Sequence, residues 1–294
     1  MSEFAARLDL LVRRGFFNLL RLLPTETASR LGVKAVRANV TANRPEILAG
    51  ARRNLAIHHP EWSPAEVEAG VEAFLDGVGR FMSEFAVMDR FIREGRFELQ
   101  GAEAFAAIAG KEPIIAFGLH TGNWETFGPQ FRHMGIPLAS FYAPPEDAFE
   151  RRIAEESRAR FGVELLAPDA RGARDGLRLL KQNRVVMIFP DESRGGRSMA
   201  PLFGRKPHDK GNLAIAARLA RMSGARFVIC HSERQEGARF RLFFSEPFAL
   251  PPVEGEAHGL ALADVAFLNA RIEPIVARNI PRWYFLDDPL EEIA

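Results

Sequence analysis

The sequence predicts an α/β fold: a central, mostly parallel sheet flanked by helices and preceded by an N-terminal helical region. Apolar residues recur at helical spacing through residues 4–88. From residue 97 onward, short apolar runs alternate with amphipathic helical segments, as in βαβ units, whose strands pair in parallel. No internal repeat or long linker divides the chain. These observations favour one continuous domain.

The N-terminal region is predicted to contain four helices. Thr25 is a candidate N-cap of the second helix, and Ser63, with Pro64 at the first turn, is a candidate cap of the fourth. We expect the helices over residues 4–23, 25–36, 44–59 and 63–88. Residues 1–95 are therefore assigned to a helical, membrane-associating region, and residues 96–294 to an α/β core.

The first predicted helix combines arginines with Phe and Leu, and two interpretations are equally favoured. Arg13, Arg14 and Arg21 suit a helix that lies on an anionic membrane surface. The same pattern suits a helix packed on the domain with its arginines in water. No uncharged run approaches the roughly 20 residues that cross a bilayer. No cleavable signal peptide is evident. We therefore expect a peripheral protein.

The core is predicted to place two polar residues at one edge of its sheet. His120 and Asp191 each follow an apolar strand, and ligands of parallel sheets bind beyond the carboxyl ends of the strands. We expect strands over residues 97–99, 113–119, 138–142, 163–166, 185–189, 227–231 and 240–244. Helices are expected over residues 102–109, 149–161, 173–182, 214–222 and 260–277.

Composition argues against several classes of function. A formal net charge of +1 gives no global field that would favour nucleic acid. The single cysteine, Cys230, permits neither an internal disulfide nor a CxxC metal site. His58 and His59 lack the ligand spacing of a zinc site. We expect no metal and no nucleic-acid partner.

The stretch from Pro113 to Glu125, PIIAFGLHTGNWE, carries the candidate catalytic pair. Gly122 permits a turn that would bring Glu125 to Nδ1 of His120. A carboxylate there would fix the tautomer, and Nε2 would then accept a proton from a substrate hydroxyl. The alternative is a structural histidine beside an unrelated surface acid. Taken alone, a His and Glu at this spacing favour that alternative.

The segment GLHTGNWE resembles the HX4(D/E) motif of the bacterial lipid A late acyltransferase family. That family includes lauroyl and myristoyl transferases and the mycobacterial phosphatidylinositol mannoside acyltransferases. Further blocks resemble the family in the same order, and together they cover nearly the whole chain: residues 51–66, 160–193, 201–207 and 212–229.

The resemblance implies a glycerophosphate-acyltransferase-like fold and a specific reaction. A fatty acyl group would pass from acyl-ACP or acyl-CoA to a hydroxyl of a membrane glycolipid. The expected acceptor is a lipid A precursor, which places the reaction in lipopolysaccharide biosynthesis on the cytoplasmic face of the bacterial inner membrane. By this resemblance His120 is the general base and Glu125 its orienting partner. The acyl thioester is a co-substrate, and no cofactor is implied.

Four further residues are expected to contact substrate: Asn123, Asp191, Arg194 and Arg197. The amides around Gly122 and Asn123, or the side chain of Arg194, are candidate donors to a tetrahedral oxyanion. The glycine-containing turn from Arg194 to Arg197, beside Asp191, binds a phosphate of the donor or of the acceptor head group in one interpretation. In the other, equally weighted interpretation it is a solvated loop.

The sequence departs from the family pattern in ways that leave the acceptor open. The acidic turn usually reads D-Q-D, but here it ends in Ser193. A Tyr-Arg-Pro segment is replaced by one with Ala143 at its centre, and Arg205 follows the Phe-Gly turn, where some members carry Glu. The alternative acceptor is phosphatidylinositol mannoside or another polar lipid. A third hypothesis is a catalytically silent lipid-binding homologue.

Overall fold

The N-terminal third is helical in the computed structural model. The structure describes the backbone of residues 3–252 and 260–290, and the side chains of residues 10–252 and 261–290. Ser63 caps its helix as predicted and forms a capping box with Glu66. Thr25 does not cap its helix: its hydroxyl donates to Glu94 at 2.9 Å. The helices are α1 (Glu3–Leu20), α2 (Thr25–Asn43), α3 (Pro45–His58) and α4 (Pro64–Glu84).

A seven-stranded, mostly parallel sheet follows, which confirms the predicted fold class. Its strand order is β1-β9-β8-β2-β5-β3-β4, and only β8 and β9 pair antiparallel. The hairpin β6–β7 is separate from this sheet and was not predicted. The strands are β1 (Phe97–Gln100), β2 (Ile114–Gly118), β3 (Leu138–Phe141), β4 (Glu164–Leu166), β5 (Val185–Ile188), β6 (Ser193–Arg194), β7 (Arg197–Ser198), β8 (Arg226–Arg234) and β9 (Phe240–Phe244).

Helices cover both faces of the sheet. Successive side chains of β2 point to opposite faces, and all of them are buried because both faces are covered. Ile115 and Phe117 pack in one cluster with apolar residues of α8, α9 and α10. Ile114 and Ala116 point to the opposite face, where α4, α5 and α6 supply the packing. The core helices are α5 (Ala102–Ile108), α6 (Phe127–His133), α7 (Ala148–Arg160), α8 (Ala170–Leu180), α9 (Gly211–Ser223) and α10 (Leu260–Arg278).

A third apolar cluster joins the N-terminal helices to the segment after α10. Leu55 and Phe74 pack there with Ile280 and Leu286. The buried amide of Asn54 donates to the carbonyl oxygen of Leu286 at 2.5 Å. The C-terminal segment is thereby held against α3 and α4, and it returns to the edge of the sheet where β2 and β5 end. Within the described residues, no helix is both long enough and apolar enough to cross a bilayer.

Candidate active site

The pairing of β2 with β5 brings His120 and Asp191 together. Phe117 lies opposite Ile188, and each of these residues is three positions before the polar residue that follows its strand. The backbone amide of His120 donates to Oδ2 of Asp191 at 2.7 Å, and Nδ1 of His120 lies 2.9 Å from Oδ1. The prediction that both residues lie at one edge of the sheet is confirmed.

Asp191 is fully buried, and protein groups occupy both of its oxygens. In addition to the two contacts with His120, the indole Nε1–H of Trp283 donates to Oδ2 at 3.0 Å. An ionised carboxylate only accepts hydrogen bonds, so the neutral imidazole carries its proton on Nδ1. Nε2 is then left with a lone pair that accepts a proton.

Aromatic side chains surround the imidazole. The ring of Trp124 lies 4.9 Å from that of His120 at an interplanar angle of 70°, and Phe285 meets it edge-on at the same distance. Phe189 packs at 4.6 Å. Together with the two contacts to Asp191, these rings restrict the imidazole to one orientation.

Glu125 does not contact Nδ1, so the expectation that it orients His120 directly is wrong. The chain reverses at Gly122, whose φ is +61°, and then enters a short 3-10 turn over Trp124–Thr126. This path brings Glu125 to α7, where Arg158 binds it through Nη2–Oε1 at 2.5 Å and Nε–Oε2 at 3.2 Å.

Arg158 is a partly buried cation that lines the same cavity as His120. Burial alone would lower the pKa of its guanidinium, but the Glu125 carboxylate, with smaller contributions from Tyr142 and Glu155, raises the pKa above its ordinary value. The guanidinium also lies 4.4 Å from the centroid of the Tyr142 ring. Among the described residues, no acceptor binds Nη1.

These groups open into a cavity of about 270 Å³ with mostly apolar walls. A second cavity, of about 520 Å³, lies among α1, α2, α4 and α7. The two cavities share Met82, Glu150, Ile153, Tyr284 and Phe285 as lining residues. An apolar pocket with a few convergent polar groups is typical of a ligand site. The first cavity is lined by His120, Glu125, Arg158, Arg194, Phe81, Met82, Phe85, Trp124, Phe141, Tyr142, Ile153, Phe189, Tyr284 and Phe285, among others.

Comparison with protein families identifies the family of this chain. The family described as "Bacterial lipid A biosynthesis acyltransferase" matches residues 7–290. The chain belongs to this family. It is therefore an acyltransferase that acts on lipids. No curated protein sequence matches it.

Among solved structures, this acyltransferase is similar to the 1-acyl-sn-glycerophosphate (LPA) acyltransferase PlsC from Thermotoga maritima. The two chains are 12% identical, and the TM-score is 0.38. The match covers 88% of this chain and 98% of that one.

In this acyltransferase, Asn123 does not contact the cavity, so its prediction as a substrate-binding residue is wrong. It is fully buried, its Nδ2 donates to Glu84 at 2.7 Å, and its Oδ1 accepts from the amide of Glu125 at 3.2 Å. The amides of Gly122 and Asn123 also bind protein acceptors, the carbonyl of Arg282 and the hydroxyl of Ser232. Neither amide is left for an oxyanion.

Of the other three predicted substrate-binding residues, only Arg194 lines the first cavity. Asp191 is fully buried, both of its oxygens accept hydrogen bonds from protein groups, and it does not line either cavity. Arg194 lines the first cavity and pairs with Glu192. Arg197 is exposed in the hairpin and does not line either cavity.

Trp283 and Arg158 are the site residues that sequence reasoning missed. Trp283 follows a helix far along the chain, and only the tertiary fold shows that its indole meets Asp191. Arg158 is one of four arginines in α7, the others being Arg151, Arg152 and Arg160. Helical spacing alone does not separate Arg158, which lines the cavity, from the other three.

Proposed function

We propose that this acyltransferase moves a fatty acyl chain from acyl-ACP or acyl-CoA to a hydroxyl of a membrane glycolipid, a lipid A precursor. His120 is the general base. One observation carries the proposal: Asp191 binds Nδ1, which leaves the Nε2 lone pair of a histidine that lines an apolar cavity. A base held in one tautomer at such a wall suits proton transfer from a lipid hydroxyl.

The reaction needs no covalent enzyme intermediate, because the thioester is already activated. The acceptor hydroxyl gives its proton to Nε2 while its oxygen attacks the thioester carbonyl. The tetrahedral intermediate then collapses, the carbon–sulfur bond breaks, and the thiolate leaves and takes up the proton from the imidazolium. The products are an ester and a free thiol. Asp191 stabilises the imidazolium between the two steps.

Arginine side chains in the cavity supply positive charge for the tetrahedral oxyanion. Arg158 keeps Nη1 for a ligand, because Glu125 binds its Nε and Nη2. In this account Glu125 contributes by positioning a cation and does not contact the base. Arg194 is a second cation in the lining of the cavity.

The apolar surfaces suit a lipid substrate and a membrane. The walls of the two adjoining cavities are suited to hydrocarbon chains. On α1, apolar side chains are left in solvent: Leu11 is 66% exposed and Val12 62%, while Leu22 just beyond its end is 82% exposed. With Arg14 exposed on the same helix, this surface suits an anionic membrane such as the cytoplasmic face of the inner membrane.

A different polar lipid, such as phosphatidylinositol mannoside, is the second candidate acceptor. Ala143 and Ser193, two of the departures from the family pattern, both line the first cavity. Tyr142 beside them has a buried hydroxyl that lacks a hydrogen-bond partner among the described residues. A head group that differs from that of lipid A precursors would meet these residues.

Acyl transfer from defined donors tests the proposal. Purified protein is mixed with acyl-ACP or acyl-CoA and with vesicles that contain either a lipid A precursor or phosphatidylinositol mannoside. Mass spectrometry then follows the gain of one acyl chain. We expect transfer to the lipid A precursor, and gain on phosphatidylinositol mannoside alone would select the second acceptor. No transfer from either donor to any membrane lipid contradicts the proposal and favours a silent lipid-binding protein.

Replacing the base tests its role. His120→Ala should lower kcat by about 10³-fold, within the range of general-base catalysis. The matched control is His133→Ala, since His133 is an exposed histidine at the end of α6. Its kcat should equal that of the wild type. Unchanged transfer in His120→Ala would remove His120 from the mechanism.

A further inference from the structure

A buried carboxylate on α4, Glu84, contacts the turn that follows His120. Glu84 is fully buried and is the last residue of its helix. Arg234 at the end of β8 binds it through both terminal nitrogens of its guanidinium, Nη1–Oε1 at 2.6 Å and Nη2–Oε2 at 2.8 Å. Ser29 of α2 donates to Oε1 at 2.8 Å, and Asn123 donates to Oε2 at 2.7 Å. Both oxygens are therefore occupied.

Asn123 connects the Glu84 carboxylate to the turn that follows His120. Its Oδ1 accepts from the amide of Glu125 at 3.2 Å, and its carbonyl oxygen accepts from the hydroxyl of Thr126 at 2.6 Å. A rotation of the Asn123 side chain would break the contact that caps the 3-10 turn. Because Asn123 donates to Glu84, the carboxylate selects the one amide orientation that keeps this cap.

Phe81, one turn before Glu84, contacts the same stretch of chain. Residues three apart lie on one face of a helix. The ring of Phe81 stacks on Trp124 at 4.1 Å, and Trp124 in turn packs against His120 at 4.9 Å. One face of α4 therefore contacts Asn123 by a charge-assisted hydrogen bond and Trp124 by an aromatic stack.

We propose that Glu84, held by Arg234, is a positioning residue that acts through Asn123 and fixes the turn carrying Trp124 and Glu125 beside His120. The N-terminal helices thereby set the geometry of the catalytic cavity. The kinetic part of this inference rests on the proposed function. A misplacement of about 1 Å at a reacting group lowers rates by about 10²-fold, so a loosened turn has a measurable cost.

The test compares Glu84→Gln with Arg80→Gln. Arg80 joins α4 to α2 through Glu26 at 3.1 Å and binds Ser29, but it does not contact the turn. Glu84→Gln should lower kcat at least tenfold, with KM within threefold of the wild type, at a temperature well below its Tm. Arg80→Gln should lower Tm and leave kcat within threefold. The reverse pattern, or a kcat loss that only follows Tm in both variants, would overturn the proposal.

A swap and a structural readout complete the test. Glu84→Gln combined with Asn123→Asp restores a carboxylate–amide hydrogen bond with the partners exchanged, and it should recover part of kcat. Amide hydrogen exchange in residues 123–126 should accelerate in Glu84→Gln and not in Arg80→Gln. This second readout needs no turnover, so it tests the positioning even if no acyl transfer is found. Unchanged exchange in Glu84→Gln would reject the inference.

If Glu84→Gln does not fold, Arg234→Lys serves in its place. Lysine keeps the positive charge but does not form the bidentate pair of hydrogen bonds to Glu84. The Glu84 carboxylate is then free to move away from Asn123. Faster exchange at residues 123–126 and a lowered kcat are expected. Wild-type values for both would also overturn the proposal.

Discussion

Two carboxylates lie near His120, and they differ in what they bind. Asp191 is fully buried at the end of β5 and accepts from the amide of His120, its Nδ1–H and the indole of Trp283. Glu125 lines the cavity and binds a cation, Arg158. The first carboxylate controls where the proton of the imidazole lies. The second controls where a positive charge lies, and this difference predicts different effects of replacing each.

The largest expected effect in this comparison comes from Asp191→Asn. The amide has only one oxygen, but the carboxylate accepts hydrogen bonds on both. With its oxygen kept toward the backbone amide and Trp283, its NH₂ faces Nδ1 and selects the tautomer protonated on Nε2. A base in that tautomer accepts no proton from substrate, so kcat should fall by about 10³-fold or more. Steady-state kinetics with folding checked by circular dichroism measures this, and a loss under tenfold would contradict the role of Asp191.

Glu125→Gln should have a smaller effect on catalysis and a clear effect on stability. Gln accepts a hydrogen bond but does not neutralise Arg158, whose side chain is 17% exposed. Leaving a largely buried cation without its carboxylate costs about 3 kcal/mol of unfolding free energy. We expect kcat/KM to fall by about 10- to 100-fold, because the arginine remains but is less well placed. A loss in kcat equal to that of Asp191→Asn would remove the distinction between the two carboxylates.

Trp283→Phe tests one donor to Asp191. The variant removes the Nε1–H contact and keeps an aromatic ring at this position. A hydrogen bond to a charged group contributes about 1.5–3 kcal/mol, so unfolding free energy should fall by about 2 kcal/mol. Activity should fall only about tenfold, since Nδ1 keeps its acceptor. Denaturant unfolding and kinetics measure the two effects, and Trp62→Phe, a partly buried tryptophan outside both cavities, is the matched control.

The smallest expected effect concerns Asp287, a carboxyl in the segment after α10 that lines the second cavity. Burial, followed by the nearby charge of Asp288, raises its pKa to about 6, while its ordinary value is 3.8. A raised pKa means that the protonated form is favoured in the folded state. Its contribution to stability is therefore present below about pH 4 and lost as the pH rises through about 6.

Asp287→Asn should remove that pH dependence. The variant and the wild type should be about equally stable at pH 4. At pH 7 the variant should be more stable by about 1–2 kcal/mol, a value reduced for partial solvent screening. Urea unfolding at a series of pH values measures the difference, and a gap that is constant from pH 4 to pH 7 would contradict the assignment.

Much of the fold was predictable because it depends on local patterns. The four N-terminal helices and the alternation after residue 97 follow from apolar periodicity and from caps such as Ser63. The hairpin β6–β7 was missed, since its four strand residues carry no apolar run. α2 runs beyond its predicted end at residue 36, because Val40 is buried in a tertiary cluster with α3 and α4.

The site was predictable only in part, for a physical reason. Placing His120 and Asp191 at one edge required only strand ends, but their contact depends on β2 lying next to β5 in register. That order is a property of the whole sheet and is not encoded in any short motif. The resemblance to the HX4(D/E) motif instead implied that Glu125 contacts His120, but the 3-10 turn after Gly122 places Glu125 against Arg158.

The tautomer of His120 is the most direct test of which carboxylate controls the base. Long-range ¹H–¹⁵N NMR of ¹⁵N-histidine-labelled protein, with His120 assigned by its loss in His120→Ala, reports which nitrogen of the neutral ring carries the proton. We predict the Nδ1–H tautomer in the wild type and in Glu125→Gln, and the Nε2–H tautomer in Asp191→Asn. Loss of the Nδ1–H tautomer in Glu125→Gln, with its retention in Asp191→Asn, would contradict the account.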